Sequence, residues 1–418
     1  MTYLSFARAE LPLIDGMDQT GYIARFGGAT GVLDRPELKV LLLKEGFEKP
    51  AVLVFCDLLG FSPERTKLYE RRAAQLCGTV PERVAITCTH SHAAPSSMSL
   101  IRLGECRDSW FSRFEQVFDR ALTEAHRATP EDVRVFFGKT LVEGVARNRV
   151  QENALVDTDE TLLLFKTRTR SIALVNYACH PVTLSAENRL YSADYPGAVR
   201  RILERSGLVD EAIFATAPCG DLNPVEQDEP GECRRLEEYA LRIAQGAKEL
   251  LASDSLMELS GFSMEKKAVR FPLAADHGRA DISGAKIRAK RLYDSSDDKN
   301  RRKYAEANYL YALSHEKLLS LGLTETHFDA VLTKIRFGNF TIIGVPFELF
   351  SGIGVELKER LAPACVMELC GGNFGYFPSE QLYDAANYER GDAYMYYNRG
   401  GPLEKTAERT LMSALLED

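Results

Sequence analysis

Three consecutive segments, PAVLVFCDLLG (50–60), SPERTKLYERRAAQLCG (62–78) and RVAITCTHS (83–91), decide how the rest of the chain is read. The first and third are apolar runs of strand length and the middle one has helical spacing, so together they predict strand, helix, strand. Outward from them the same alternation continues. Further strands are expected at 133–142, 160–167, 171–180, 211–218, 330–338, 340–348 and 365–372, and helices at 109–127, 195–206, 233–252, 350–361 and 403–416.

Strands interleaved with helices imply an α/β fold with helices on the sheet faces. The turns joining 160–167 to 171–180 and 330–338 to 340–348 are too short for a crossover, so part of the sheet must be antiparallel. The expected fold class is therefore α/β with a mixed β-sheet. Residues 279–320 stand apart: they are charged, helical in period and broken by DSSDD (294–298), which fits an inserted helical hairpin. Its cluster Lys299, Arg301, Arg302 and Lys303 reads as a solvated face. Core strands lie on both sides of this insertion, so one large domain over 1–418 is expected.

The composition bounds the function. With 52 Lys and Arg against 60 Asp and Glu in 418 residues, the net charge is -8. Nucleic acid and anionic membrane surfaces call for a basic footprint and are excluded as main partners. No run approaches the roughly 20 apolar residues of a membrane-spanning helix, and the N-terminus lacks the pattern of a secretory signal. Nine cysteines, an odd number scattered through apolar runs, read as reduced core thiols rather than a disulfide framework. A cytoplasmic protein acting on a small-molecule substrate, without integral membrane association, is expected.

Histidine is scarce, with seven in the chain, and three of them end strongly apolar strands. His90 and His92 close the strand 83–91, and in an extended chain residues two apart face the same side, so both imidazoles can meet one ion. Strand-end polar packing is the plain alternative. His180 ends SIALVNYACH (171–180), where Pro181 stops the strand; alone it would read as a capped core histidine. Glu348 closes the apolar run IIGVPFELF (342–350), where it must be solvated, paired or metal-bound, or else stabilises the following helix N-terminus. GGNFGYFPSEQLYDAANYERG (371–391) reads as an ordered functional loop carrying Tyr376, Tyr383 and Tyr388.

Arg149 offers a positive fork for a carboxylate or developing oxyanion, or a surface ion pair. Asp194 reads by default as a helix-capping residue ahead of Pro196. The turn 219–224 presents Asp221 and Asn223.

In this order, these segments resemble the catalytic domain of the neutral/alkaline ceramidases, a family of zinc amidases. The resemblance is carried by THSHAAP (89–95), the pair Asn148 and Arg149, the pair His180 and Pro181, the Gly-Asp turn at 220–224, the Pro-x-Glu ending at Glu348, and the block Tyr376, Tyr383, Tyr388, Glu389. It implies Zn2+ held by His90, His180, Glu348 and Tyr376, with His92 and Arg149 facing the substrate. Asn223 stands where the family carries a serine implicated in catalysis. The chain ends at Asp418, short of the extra C-terminal domain of the larger ceramidases.

The chemistry implied is metal-assisted hydrolysis of an amide (N-acyl) bond, in a substrate other than long-chain ceramide. His92 would act as acid/base, Arg149 would stabilise developing charge, and Asp194 and Asp221 would orient the histidines. Alternatives are a zinc hydrolase of an ester, glycosidic or phosphoester bond in a polar metabolite, and a metal-binding protein without turnover.

Overall fold

A computed structural model describes residues 1–46, 48–274, 282–323 and 325–417. In place of one mixed sheet it has three larger sheets, each mixed. The first runs Val84–Cys88, Ala51–Cys56, Glu37–Glu45, Thr2–Glu10, Glu131–Asp132. The second runs Glu211–Thr216, Ser171–Tyr177, Asp159–Lys166, Arg134–Leu141, Met257–Leu259. The third runs Ser263–Pro272, His327–Phe337, Phe340–Gly344, Ala364–Met367. The strands Thr2–Glu10, Glu37–Glu45 and Ser263–Pro272 lie outside the expected set.

The apolar runs read from sequence are continuous because their strands are buried on both faces. Leu53 and Phe55, Ile172 and Leu174, and Ile342 point into one core shared by all three sheets. Their alternates point outward, each set under a pair of helices. Val52 and Val54 meet Pro63–Leu76 and Asp108–Arg127. Ala173 and Val175 meet Asp194–Arg205 and Arg234–Ala252. Ile343 meets Ser351–Arg360 and Ala407–Leu416.

Each sheet contains a parallel pair: Ala51–Cys56 with Val84–Cys88, Ser171–Tyr177 with Glu211–Thr216, and Phe340–Gly344 with Ala364–Met367. The segments carrying His90 and His92, His180, Asp221, Glu348 and Tyr376 leave the carboxyl ends of these strands, where open α/β sheets place ligands. Antiparallel pairing at 159–166/171–177 and 327–337/340–344 matches the short turns.

Several expected strands are shorter than their apolar runs, among them 83–91, 365–372 and 340–348. The segment 340–348 leaves the sheet at Gly344, since Pro346 has no N–H to give a ladder. Glu348–Leu349 then pairs in parallel with Tyr376–Phe377 in a separate two-stranded ladder, Glu348 opposite Tyr376. The inserted hairpin consists of Ile282–Ser295 and Lys299–Ser320, connecting the antiparallel strands Ser263–Pro272 and His327–Phe337. Its expected first residues, 279–281, fall outside the described residues. Asp298 caps the second helix by accepting from the Arg301 N–H at 2.7 Å. All nine cysteines are free, and no described helix is long and apolar enough to cross a membrane.

Candidate metal centre

His90, His92 and His180 converge at the meeting point of the parallel pairs, each contributing a ring nitrogen within 4.8 Å of the others. The convergence of His90 and His92 does not come from strand alternation. The strand ends at Cys88, and His90 is held at φ +68°, a conformation few non-glycine residues adopt. Its N–H donates to Leu58 O at 2.9 Å and its Nδ1 lies 2.8 Å from Leu59 O. His180 is anchored in the same way, Nδ1 lying 2.6 Å from Cys219 O. A carbonyl only accepts, so both rings carry a proton on Nδ1 and turn Nε2 inward.

Glu348, fully buried, completes the group. Its Oε2 lies 3.4 Å from His90 Nε2 and 3.6 Å from His180 Nε2, while His92 Nε2 lies 3.4 Å from His90 Nε2. Two ligands about 2.0–2.1 Å from one tetrahedral ion stand roughly 3.4 Å apart, so these spacings suit a common cation. His180 Nε2 and Glu348 Oε2 are buried without a hydrogen-bond partner, which is costly for polar atoms that nothing else engages. The other carboxylate oxygen is committed: Oε1 accepts from Asn373 Nδ2 at 3.0 Å and from the Tyr397 hydroxyl. The donor set therefore fits a divalent cation such as zinc.

Electrostatics agree. Burial lowers the His92 imidazole well below its usual value, and burial followed by the nearby Arg149 charge lowers His180 to about 4, so both rings are neutral and able to bind a metal. For Glu348, burial alone would favour the acid, but His90 and His180 outweigh it and hold the carboxyl low. Burial and the Glu348 charge push the Tyr376 phenol up. Tyr376 stacks on His180 with ring centroids 6.3 Å apart, and the Arg149 guanidinium lies 5.3 Å from the centre of its ring.

Arg149 is locked in place. Its Nε donates to Glu389 at 3.0 Å, Nη1 to Asn223 Oδ1 at 3.0 Å and Nη2 to Gly220 O at 2.9 Å. Asn223 thus sits against the arginine. Tyr388 packs 5.8 Å from Tyr376, whereas Tyr383 turns away and donates to Leu403 O.

The two aspartates expected to orient histidines do something else. Asp194 accepts from the N–H groups of Thr183, Leu184 and Tyr195 and from the Thr183 hydroxyl, tying the loop after His180 to the next helix. Asp221 accepts from Ser351 N and Oγ and from Asn148 Nδ2. Backbone carbonyls of Leu59 and Cys219 orient the rings in their stead.

Several contributors carried no readable signal. Gly21, at φ +116°, lies flat against His92: a Cβ there would come within 2.1 Å of Nδ1. Tyr22 meets the same ring edge-on at 5.0 Å, and Arg25 donates to His92 O. Asn373 lies in the glycine-rich loop already singled out, while Tyr397 belongs to an aromatic run, AYMYYN (393–398), that sequence does not distinguish from packing.

Neither protein-family models nor curated proteins match the sequence. The fold, however, is ceramidase-like. The chain is similar to the crystal structure of neutral ceramidase from Pseudomonas aeruginosa at TM-score 0.72 and 16% identity, covering 99% of this chain and 74% of that one. It is also similar to a ceramidase complexed with C2 at TM-score 0.74 and 15% identity, covering 100% and 74%.

Proposed function

We propose that this chain is a zinc-dependent hydrolase that cleaves an amide (N-acyl) bond in a small polar substrate. The observation that carries the reading is the convergence of His90 Nε2, the unpartnered His180 Nε2 and the unpartnered Glu348 Oε2 at spacings that suit one tetrahedral cation. The ceramidase-like fold supports it, since the neighbours' names attach an amide-cleaving activity to this architecture.

His90, His180 and Glu348 would hold the ion, with Tyr376 as fourth ligand from the strand opposite Glu348. A cation held there supplies Lewis acidity, polarising a carbonyl oxygen and acidifying a water. The remaining steps belong to the chain. Arg149, fixed by three acceptors, faces charge that develops on the carbonyl oxygen. His92, neutral through burial and with Nδ1 unpartnered, exchanges a proton with the leaving amine. Asn223 occupies the position of the family's serine and serves by positioning Arg149. A polar substrate, rather than long-chain ceramide, is favoured by the charged side chains Asp18, Arg25, Arg102 and Lys303 that line a cavity next to His92.

Elemental analysis of purified protein tests the reading. About one zinc per chain is expected, with loss of metal in His90→Ala and Glu348→Gln, and release of free amine from a panel of N-acyl compounds only by the metal-loaded protein. Metal content that is unchanged in both variants would rule the centre out.

A further inference from the structure

We propose that the cavity beside His92 is a subsite for an anionic group of the substrate, a carboxylate or phosphate, held by Lys303 and Arg25. The proposal rests on the hydrolase reading above and names its substrate class: a polar N-acyl compound with an acidic group on one arm.

The cavity has a volume of about 220 Å³, the share of liquid occupied by roughly seven waters, which admits an anionic head with a few attached carbons. It shares its inner wall with the candidate centre. Tyr22 lines it and meets the His92 ring at 5.0 Å, and Arg25 lines it and donates to the His92 carbonyl. Tyr22 and Arg25 thus touch both the cavity and His92.

The charges on the lining are unevenly matched. Arg102 is paired with Glu306 at 2.9 Å, and Asp18 accepts from the N–H of Glu105, which is exposed. Arg25 is buried and has no carboxylate in ion-pair contact among the described residues: it donates to the carbonyl oxygens of His92, Ser185 and Ala186. Lys303 donates to Arg25 O at 2.8 Å, packs its ammonium 5.0 Å from the centre of the Phe26 ring, and also has no carboxylate in ion-pair contact among the described residues. The Asp18 and Glu105 carboxylates share this lining and Asp18 lies within electrostatic reach of both cations, yet neither cation is in direct ion-pair contact among the described residues, which leaves Arg25 and Lys303 able to join a bound anion. Burial correspondingly lowers both from their usual values, Arg25 to about 10. Lys299, Arg301 and Arg302 stay exposed as the sequence led us to expect, so Lys303 is the member of that basic cluster that turns inward.

Calorimetric titration with inorganic phosphate and, separately, with glutarate tests the proposal on the intact metal-loaded protein and after chelator treatment. We expect at least one probe to bind with or without metal, Lys303→Met to weaken it at least tenfold at unchanged metal content, Lys303→Arg to restore it, and Arg301→Met to behave as the parent. The better probe distinguishes phosphate from carboxylate. No binding of either probe, or binding that is equal in Lys303→Met, or binding abolished by the chelator, overturns the subsite. Because this arm needs no turnover, it can fail or succeed independently of the hydrolase reading. On turnover, the kcat/KM preference for a carboxylate-ended over a carboxamide-ended N-acyl substrate should exceed tenfold and collapse toward unity in Lys303→Met.

Discussion

Tyr397 shows how much of the candidate centre is made by residues outside the histidine cluster. Its hydroxyl and the Asn373 amide hold Oε1 of Glu348, leaving Oε2 to point at the two histidines. Outer contacts of this kind set ligand orientation, and losing one commonly weakens metal binding 10- to 100-fold. Tyr397→Phe is therefore expected to lower zinc affinity about tenfold while keeping the fold, read by competition with a calibrated chelator; unchanged affinity would show that Asn373 alone suffices. At this scale the sequence was partly legible. His90, His180 and Glu348 each end an apolar run and each had a plain structural alternative; the resemblance to the ceramidases joined them into one set. Tyr397 and Gly21 did not stand out, because a tyrosine in an aromatic run and a glycine in a loop look alike whether or not they touch a ligand. Asp194 and Asp221, expected to orient histidines, instead accept from backbone N–H groups and nearby side chains, which for Asp194 is close to its default reading as a capping residue.

Among elements, the strand Asp159–Lys166 and the helix Arg234–Ala252 share a buried carboxyl. Glu160 lies against Gly246, where a Cβ would come within 2.4 Å of its Oε2. Burial pushes Glu160 up to about 9, against about 4.3 for an ordinary glutamate. The folded chain therefore holds this proton more tightly than the unfolded chain across that window. Its contribution to stability is full below about pH 4.3 and is lost as pH rises toward 9, on the order of 1.4 kcal/mol per pH unit. Urea unfolding from pH 5 to 8 should show this decline in the parent and a flatter profile in Glu160→Gln; identical slopes would place the ionisation elsewhere. Elements were also where sequence reading worked best, since strand and helix periods are local. The exceptions are the strands Thr2–Glu10, Glu37–Glu45 and Ser263–Pro272, which were not read, and the segment 340–348, where an apolar run does not reveal that Pro346 ends one ladder and that Glu348 opens another.

The whole molecule brings distant parts of the chain to one point. Leu59, whose carbonyl holds His90, packs with Tyr396 and with Ala307 of the inserted hairpin, and Tyr397 and Tyr304 border the same cluster. The hairpin thus braces both the His90 loop and the Tyr397 segment that steadies Glu348. Ala307 is 2% exposed, so Ala307→Arg must push the hairpin outward. Weaker zinc binding with near-parental helix content is expected by chelator competition and circular dichroism; parental affinity would mean that the hairpin only covers the site. Local periodicity was enough for the mixed α/β class and for most of the strands and helices, and it marked His90, His180 and Glu348 as candidates near the ends of apolar runs. It could not reveal that three sheets surround one core, that backbone carbonyls orient the rings, or that Gly21 lies against His92. Those outcomes depend on which strand edges pair and which loops meet, and residues near in space but hundreds apart in sequence leave no periodic trace of each other.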